Sequence, residues 1–216
     1  AATPFPRRVY ERLKRQGVGD IADFRLVNAG GPATSSAFDR ISKQPLTAGV
    51  PALYTYNGYH KGFVPQLDDT LKVLAEQEVW VLGIRDSENA RRAADAKGRE
   101  SLIQEVKRLY LLDYATTWEQ FIGDITLRRG GNLTESIAVA RLLSAPDSPV
   151  LTVLRAIVRE VSLTETGSSV VDKAVGKASD AIQGTKERLE RLLGPNNPVP
   201  LPGGSPKIEA LVDDRF

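Results

Sequence analysis

The sequence contains no cysteine, no methionine and a single histidine. Without cysteine, disulfides, thiolate metal sites and thiol nucleophiles are excluded. Absence of cysteine is compatible with an oxidising compartment and does not by itself define one. Without methionine the chain has no start residue, so it is expected to be a piece of a longer reading frame. No apolar run approaches the roughly 20 residues that a membrane-spanning helix needs. No secretory signal pattern is present either, so a membrane anchor is expected only outside these residues. An excess of one charge is also missing: 29 Lys and Arg face 27 Asp and Glu, for a net charge of +2. Such a balance leaves no electrostatic footprint for nucleic acid. Even the most basic stretch, Arg85 to Arg108, mixes seven cations with five anions and reads as a solvated helix face.

What is present is an ordinary globular composition, 41% hydrophobic and 26% charged over 216 residues. That is enough for a sizeable core and excludes a wholly disordered chain. Thr3, Pro4 and Pro6 open a helix to residue 16 with Val9, Tyr10 and Leu13 inward and Gly17 as its stop. Residues 23–29 alternate and predict a short strand, ended by Gly30, Gly31 and Pro32. Residues 34–42 predict a brief helix, and 46–61 a Gly- and Pro-punctuated, Tyr-rich loop. Helical spacing returns over 67–82 with Gly83 as cap. The clearest element spans 87–125, with Leu102, Val106, Leu109, Tyr110, Tyr114, Trp118, Phe121, Ile122 and Ile125 on one stripe. A helix over 133–143 follows the break at Gly130, Gly131 and Asn132. Ser148 and Pro149 then start another, over 150–161, with Leu151, Leu154, Ile157, Val158 and Val161 inward. Val171, Val175, Ala178, Ile182, Thr185, Leu189 and Leu192 form a heptad-like seam, suited to packing within the bundle or against another subunit.

The resulting fold class is mainly α: a multi-helix bundle of about seven to nine helices with at most one short strand pair. Domain organisation is expected to be a helical domain over 1–193, a Pro- and Gly-rich linker over 194–206, and the start of a following element over 207–216. Stability is expected to rest on burial of Trp80, Trp118 and Phe121.

Chemistry has few places to reside. His60 is the one imidazole base available to a Ser-His-Asp arrangement, and no Gly-x-Ser-x-Gly elbow accompanies it. Its structural alternative is a hydrogen-bonded interface or packing role. Gly30 and Gly31 lack the rest of a phosphate-binding motif. Asp68-Asp69 and Asp213-Asp214 lack the spaced loop of a calcium site. No catalytic residue, cofactor or metal is therefore assigned. Asp113, among Leu109, Tyr110, Tyr114 and Trp118, needs an ion-pair partner if buried and lies at the stripe's edge if solvated. Tyr54, Tyr56 and Tyr59 with His60 are the candidate partner-binding residues, because rigid rings give contact at low entropic cost. The alternative use of these rings is to anchor their loop to the core, and that use is expected for at least two of them.

Several segments, in order, resemble the IcmF-related family. They are Asp23 to Asn28 with Gly31-Pro32, Gly49 to Thr55 running into Gly58 to Phe63, and Glu78 to Gly83. Leu109 to Tyr114 with Trp118 and Phe121, and then Ser144 to Leu151, complete the set. The resemblance covers roughly residues 7–165. It implies a structural scaffold segment of the type VI secretion trans-envelope membrane complex, the periplasmic portion of an inner-membrane protein, with no enzymatic role. It further implies assembly with the lipoprotein TssJ, through a domain after Phe216, with the inner-membrane subunit TssL, through the membrane region, and with further copies of itself. Two rival classes remain at this stage, a cytosolic helical adaptor and a hydrolase using His60.

Overall fold

The computed structural model describes residues 3–82, 88–145, 148–164 and Val212. The Gly83 cap, the seam from Val171 to Leu192, the linker over 194–206 and all of 207–216 except Val212 lie outside the described residues. Val212 itself is helical and fully buried. Eight α-helices and one two-stranded antiparallel sheet are present among the described residues, as the mainly α reading requires.

Helix α1 (Phe5–Gln16) carries Pro6 in its first turn and buries Phe5, Val9, Tyr10 and Leu13. It ends at Gly17, whose φ of 69° is left-handed and free of strain only without a Cβ. The strand predicted over 23–29 does not form. Phe24 and Arg25 stay extended, with Phe24 bridging Val50 through two 2.9 Å backbone bonds. From Leu26 the chain turns into the one-turn helix α2 (Leu26–Gly30). The N–H groups of Asn28 and Ala29 both donate to the Arg25 carbonyl, so local bonds satisfy backbone for which a strand would need a neighbour. The helix predicted over 34–42 is likewise cut short. One turn, α3 (Thr34–Ala37), gives way to strand β1 (Phe38–Arg40), where Phe38 and Arg40 are buried and Asp39 faces out. That period of two suits a sheet better than a helix.

The Tyr-rich stretch is not an open loop. Residues Ala52–Tyr54 form a 3-10 turn, and Gly58–Phe63 form a π-helical segment that runs directly into α4 (Val64–Leu82). The long element predicted over 87–125 is two helices, α5 (Glu88–Ala94) and α6 (Ala96–Asp124). They part at Asp95, whose carboxylate caps α6 by accepting the Gly98 N–H at 2.8 Å. Strand β2 (Ile125–Leu127) follows α6 and pairs with β1 in the register Phe38↔Leu127, Asp39↔Thr126, Arg40↔Ile125. Helix α7 (Leu133–Ser144) starts at Asn132, which accepts the Glu135 N–H, while Glu135 reaches back to the Gly131 N–H. Helix α8 (Pro149–Val161) starts as predicted, with the Ser148 hydroxyl accepting from Val150 and Pro149 in the first turn. Its inward row is Val153, Ile157 and Val161; Leu154, predicted inward, is 44% exposed.

Helices α1, α4, α5 and α6 pack on one another, α2 rests on α8, and α3 joins α7 and α8. The core is continuous and centres on α6, where Leu102, Val106, Tyr110, Leu111, Tyr114 and Trp118 are essentially inaccessible. Trp80 departs from its predicted place and is 86% exposed. The inward row of α4 is Leu67, Leu71, Ala75 and Glu78, and two further residues rotate Trp80 by about 200° to the far side. Glu78 sits inside because Arg8 and the Asn89 amide both donate to it. Taken singly, no helix among the described residues is long and apolar enough to cross a membrane; α7 and α8 reach that length only jointly, across a bend.

The sheet is tied to the end of α6 by Arg40. Its Nε donates to Asp124 at 2.5 Å, its Nη1 donates to the Ala48 carbonyl at 2.8 Å, and its guanidinium lies 5.0 Å from the Phe121 ring. The Ser42 hydroxyl and backbone N–H donate to the same carboxylate, each at 2.6 Å. The Ser42 hydroxyl, then Arg40, hold Asp124 down at about 2 from its ordinary 3.8. A depressed carboxyl contributes stability that is complete above its unfolded value and lost as pH falls through its folded one. Acid unfolding of the wild type should therefore steepen between pH 3.8 and about 2. Asp124→Asn should flatten that window in a pH series of melting temperatures. Trp118→Ala should cost about 3–5 kcal/mol in denaturant unfolding, the usual range for a fully buried aromatic. An unchanged midpoint would remove Trp118 from the core.

Candidate interaction site

The candidate partner-binding residues lie where the 3-10 turn meets the π-helical segment. A hydrogen-bonded relay shapes this corner. The Thr55 hydroxyl donates to the Ala52 carbonyl at 2.8 Å and accepts the Gly58 N–H at 3.0 Å, and the Tyr59 N–H donates to the Thr55 carbonyl at 2.9 Å. Gly58 is required here: a Cβ would collide with the Ala52 carbonyl oxygen.

Two of the candidate rings turn inward. Tyr59 is 1% exposed and stacks on Phe63 and Tyr110, with ring centroids 6.2 and 5.5 Å away. Tyr54 is buried against Tyr110 and Tyr114. Its hydroxyl meets that of Tyr10 at 3.0 Å, and the Tyr10 hydroxyl donates to Asp113 at 2.6 Å. Lys14 completes the Asp113 environment at 3.3 Å. Asp113 thus combines an ion pair with an edge position. Burial pushes the Tyr10 and Tyr110 phenols well above their ordinary value and raises that of Tyr54, with the Asp113 hydrogen bond adding to the shift at Tyr10, so all three stay neutral. As buried rings, Tyr54 and Tyr59 anchor the corner to the core.

Tyr56 and His60 remain at the surface. Tyr56 is half-buried, His60 is exposed, and their rings lie 4.4 Å apart. His60 Nε2 is 3.1 Å from the Leu163 carbonyl. No hydroxyl or carboxylate is hydrogen-bonded to it among the described residues, so the geometry of a catalytic triad is not assembled there. No group of three or more His, Asp or Glu side chains converges among the described residues as a metal site would need.

Glu160, which carries no recognisable signal in the sequence, joins this corner. Its carboxylate accepts the Tyr56 N–H at 2.7 Å, and its carbonyl accepts the Tyr114 hydroxyl at 2.6 Å. Beside it lies a cleft of mixed polarity and about 270 Å3, between α2, the Tyr-rich corner and α8, lined among others by Phe24, Arg25, Asn28, Asn57 and Arg159. The end of α8 and the Tyr-rich corner therefore form one surface, presenting Tyr56 and His60 next to mixed charge.

The model of the family described as "IcmF-related: Intracellular multiplication and human macrophage-killing" matches residues 1–162. The chain belongs to the IcmF-related family. Among curated relatives, the type VI secretion system component TssM1 of Pseudomonas aeruginosa is 37% identical over 192 residues. Those residues are 88% of this chain and 16% of that protein, so the chain spans a small part of the relative it matches. No solved structure matches the chain. The IcmF-related match takes in α1 to α8, including the whole Tyr-rich corner.

Burial raises the Glu160 carboxyl above its ordinary 4.5, while the Tyr56 N–H and Arg159 pull it back. A raised carboxyl lowers stability as pH climbs through its folded value, because the fold must then bury a charge. Glu160→Gln keeps an acceptor for Tyr56 and loses the charge. Its melting temperature should exceed that of the wild type at pH 7 and converge with it toward pH 4.5, as read by calorimetry.

Proposed function

We propose that this chain is a structural segment of the type VI secretion membrane complex, lying in the periplasm and holding the complex's geometry across the envelope. The observation that carries the proposal is its 37% identity with TssM1 along 88% of its length. The build of the chain agrees. Helix α6 has 29 residues, about 43 Å of continuous rod, and α1, α4 and α5 brace it. The use found for His60, a bond to the Leu163 carbonyl, is architectural and supports a non-enzymatic role. The neighbours in this reading are TssJ, through a part of the parent after Phe216, TssL, through the membrane region, and further copies of the chain. Tyr56 and His60 are the residues at the candidate corner left free to touch them.

Purification of the parent protein from its native membranes, with co-purifying proteins identified by mass spectrometry, tests the proposal. Recovery of an outer-membrane lipoprotein and a second inner-membrane subunit is expected. Recovery of soluble cytosolic proteins only would replace it with the helical-adaptor reading. Hydrolysis by the wild type that His60→Ala abolishes would replace it with an enzyme.

A further inference from the structure

Two apolar surfaces stand outside the corner just described. The first is concave. Helices α4, α5 and the start of α6 border an open, mainly apolar groove of about 800 Å3, walled by Val79 and Trp80 and floored by Ala90 and Ala93. A Trp exposed to 86% beside such a hollow is costly in water and is the residue type most often found at the energetic centre of an interface. The second surface is convex. Helix α7 contains no fully buried residue. Leu142 and Leu143 hold it to the core, while Leu133 and Ile137 are 77% and 45% exposed. Spaced at i and i+4, they form a ridge that Arg141 extends at i+8.

The charges on the two surfaces are complementary. On the groove rim, Lys72 is paired with Asp68 at 2.5 Å and Arg99 approaches the same carboxylate at 3.7 Å. Glu76 is the rim charge left over. Glu76 and Arg141 are both exposed, and neither has an ion-pair partner among the described residues. One surface is thus an apolar hollow with a free anion at its rim, and the other an apolar ridge continued by a free cation.

We propose that the groove is occupied by α7 of a second copy of this chain, with Leu133 and Ile137 against Trp80 and the alanine floor and Arg141 against Glu76. Ridge and groove are different surfaces, so the contact closes reciprocally in a pair or repeats head to tail through successive copies. Either arrangement supplies a self-contact to the scaffold, and the proposal rests on that reading for its purpose alone: its failure leaves the membrane pull-down unaffected.

The test is sedimentation equilibrium of the 216-residue chain over a dilution series. Reversible, concentration-dependent association is expected. Trp80→Ala should weaken it about thirtyfold, the loss typical of a central Trp, with the melting temperature unchanged. Glu76→Arg and Arg141→Glu should each be monomeric alone, since like charges then meet. An equimolar mixture of the two should associate again, because each groove finds a ridge of opposite charge. A merely structural role for either residue would not be rescued by mixing. Acrylamide quenching reports Trp80, since Trp118 is buried. A monomer in which Trp80 is shielded at every dilution would put the chain's own residues 165–211 in the groove and overturn the proposal. A monomer with Trp80 freely quenched would overturn it in favour of a different protein. Association that survives both charge reversals, or that mixing fails to restore, would also overturn it by moving the contact elsewhere.

Discussion

Tyr110, Tyr114 and Trp118 stand on one row of α6, four residues apart, and each donates its one polar hydrogen to a backbone carbonyl from a distant segment. Tyr110 donates to Leu53 at 2.5 Å, Trp118 to Tyr54 at 2.8 Å, and Tyr114 to Glu160 at 2.6 Å. The carbonyls of the 3-10 turn and of the α8 end are thereby satisfied inside the fold, where an unpaired acceptor would cost about 1–3 kcal/mol. The rings of the same residues supply the apolar packing, with Phe63 on Tyr110 at 4.0 Å and Phe24 on Trp118 at 5.0 Å. One helix face thus provides both the burial and the polar bonds that fix elements 46 to 64 residues away in the chain. The large aromatic at each position and the donor at its tip are both needed; a Leu in any of these places would pack and leave a carbonyl unpaired.

The geometry of the Tyr-rich corner follows from that row. To bring the carbonyls of Leu53 and Tyr54 to α6, the chain must turn tightly and re-enter a helix at once. The 3-10 turn, the Thr55 relay and Gly58 achieve the turn, and the π-helical segment sets the phase in which Tyr59 and Phe63 both point at Tyr110. Tyr56 and His60 then fall on the other side by elimination. Their exposure is a by-product of packing as much as a design for contact. Glu160 and Leu163 tie both residues to the end of α8.

Helices α1, α4, α6, α7 and α8 are legible in the sequence because their apolar rows run for a dozen residues or more. Their ends are also written locally, in Gly17, Ser148 and Pro149. The stretch from Ile21 to Phe63 is much less legible. Its short pieces take their form from distant partners: β1 pairs with a strand some 87 residues on, and Phe24 with Val50. No pattern of three residues specifies such a pairing. The site was half legible for a related reason. The sequence shows a cluster of rings and glycines, and Tyr54 and Tyr59 are claimed by α6 only once the fold brings the cluster to it. Trp80 failed for a simpler one: its burial is expected from its residue type, whereas the buried row Leu67, Leu71, Ala75 and Glu78 leaves position 80 on the opposite face. The segment Gly49 to Phe63, which carries much of the family resemblance, proves to be the segment clamped by α6. In this chain the most recognisable motif is one of architecture.

The proposed scaffold role calls for parts that do not yield, and the distribution of burial says which parts are most firmly packed. The aromatic row of α6 ties α1, the Tyr-rich corner and the end of α8 into one unit through ring packing and direct hydrogen bonds. Arg40 extends that unit to the sheet through two polar partners and one ring. Strands of three residues would be marginal alone, and here they are held from the side by a part-buried ion pair. Helix α7 has no such tie. Its capping residues secure its start, Leu142 and Leu143 anchor its end, and none of its own residues is fully buried. A 12-residue helix with so little packing has a weak claim to stability in isolation. The stiff unit and the lightly held helix are therefore different kinds of part. The first preserves shape without help, and the second gains most from whatever lies against it.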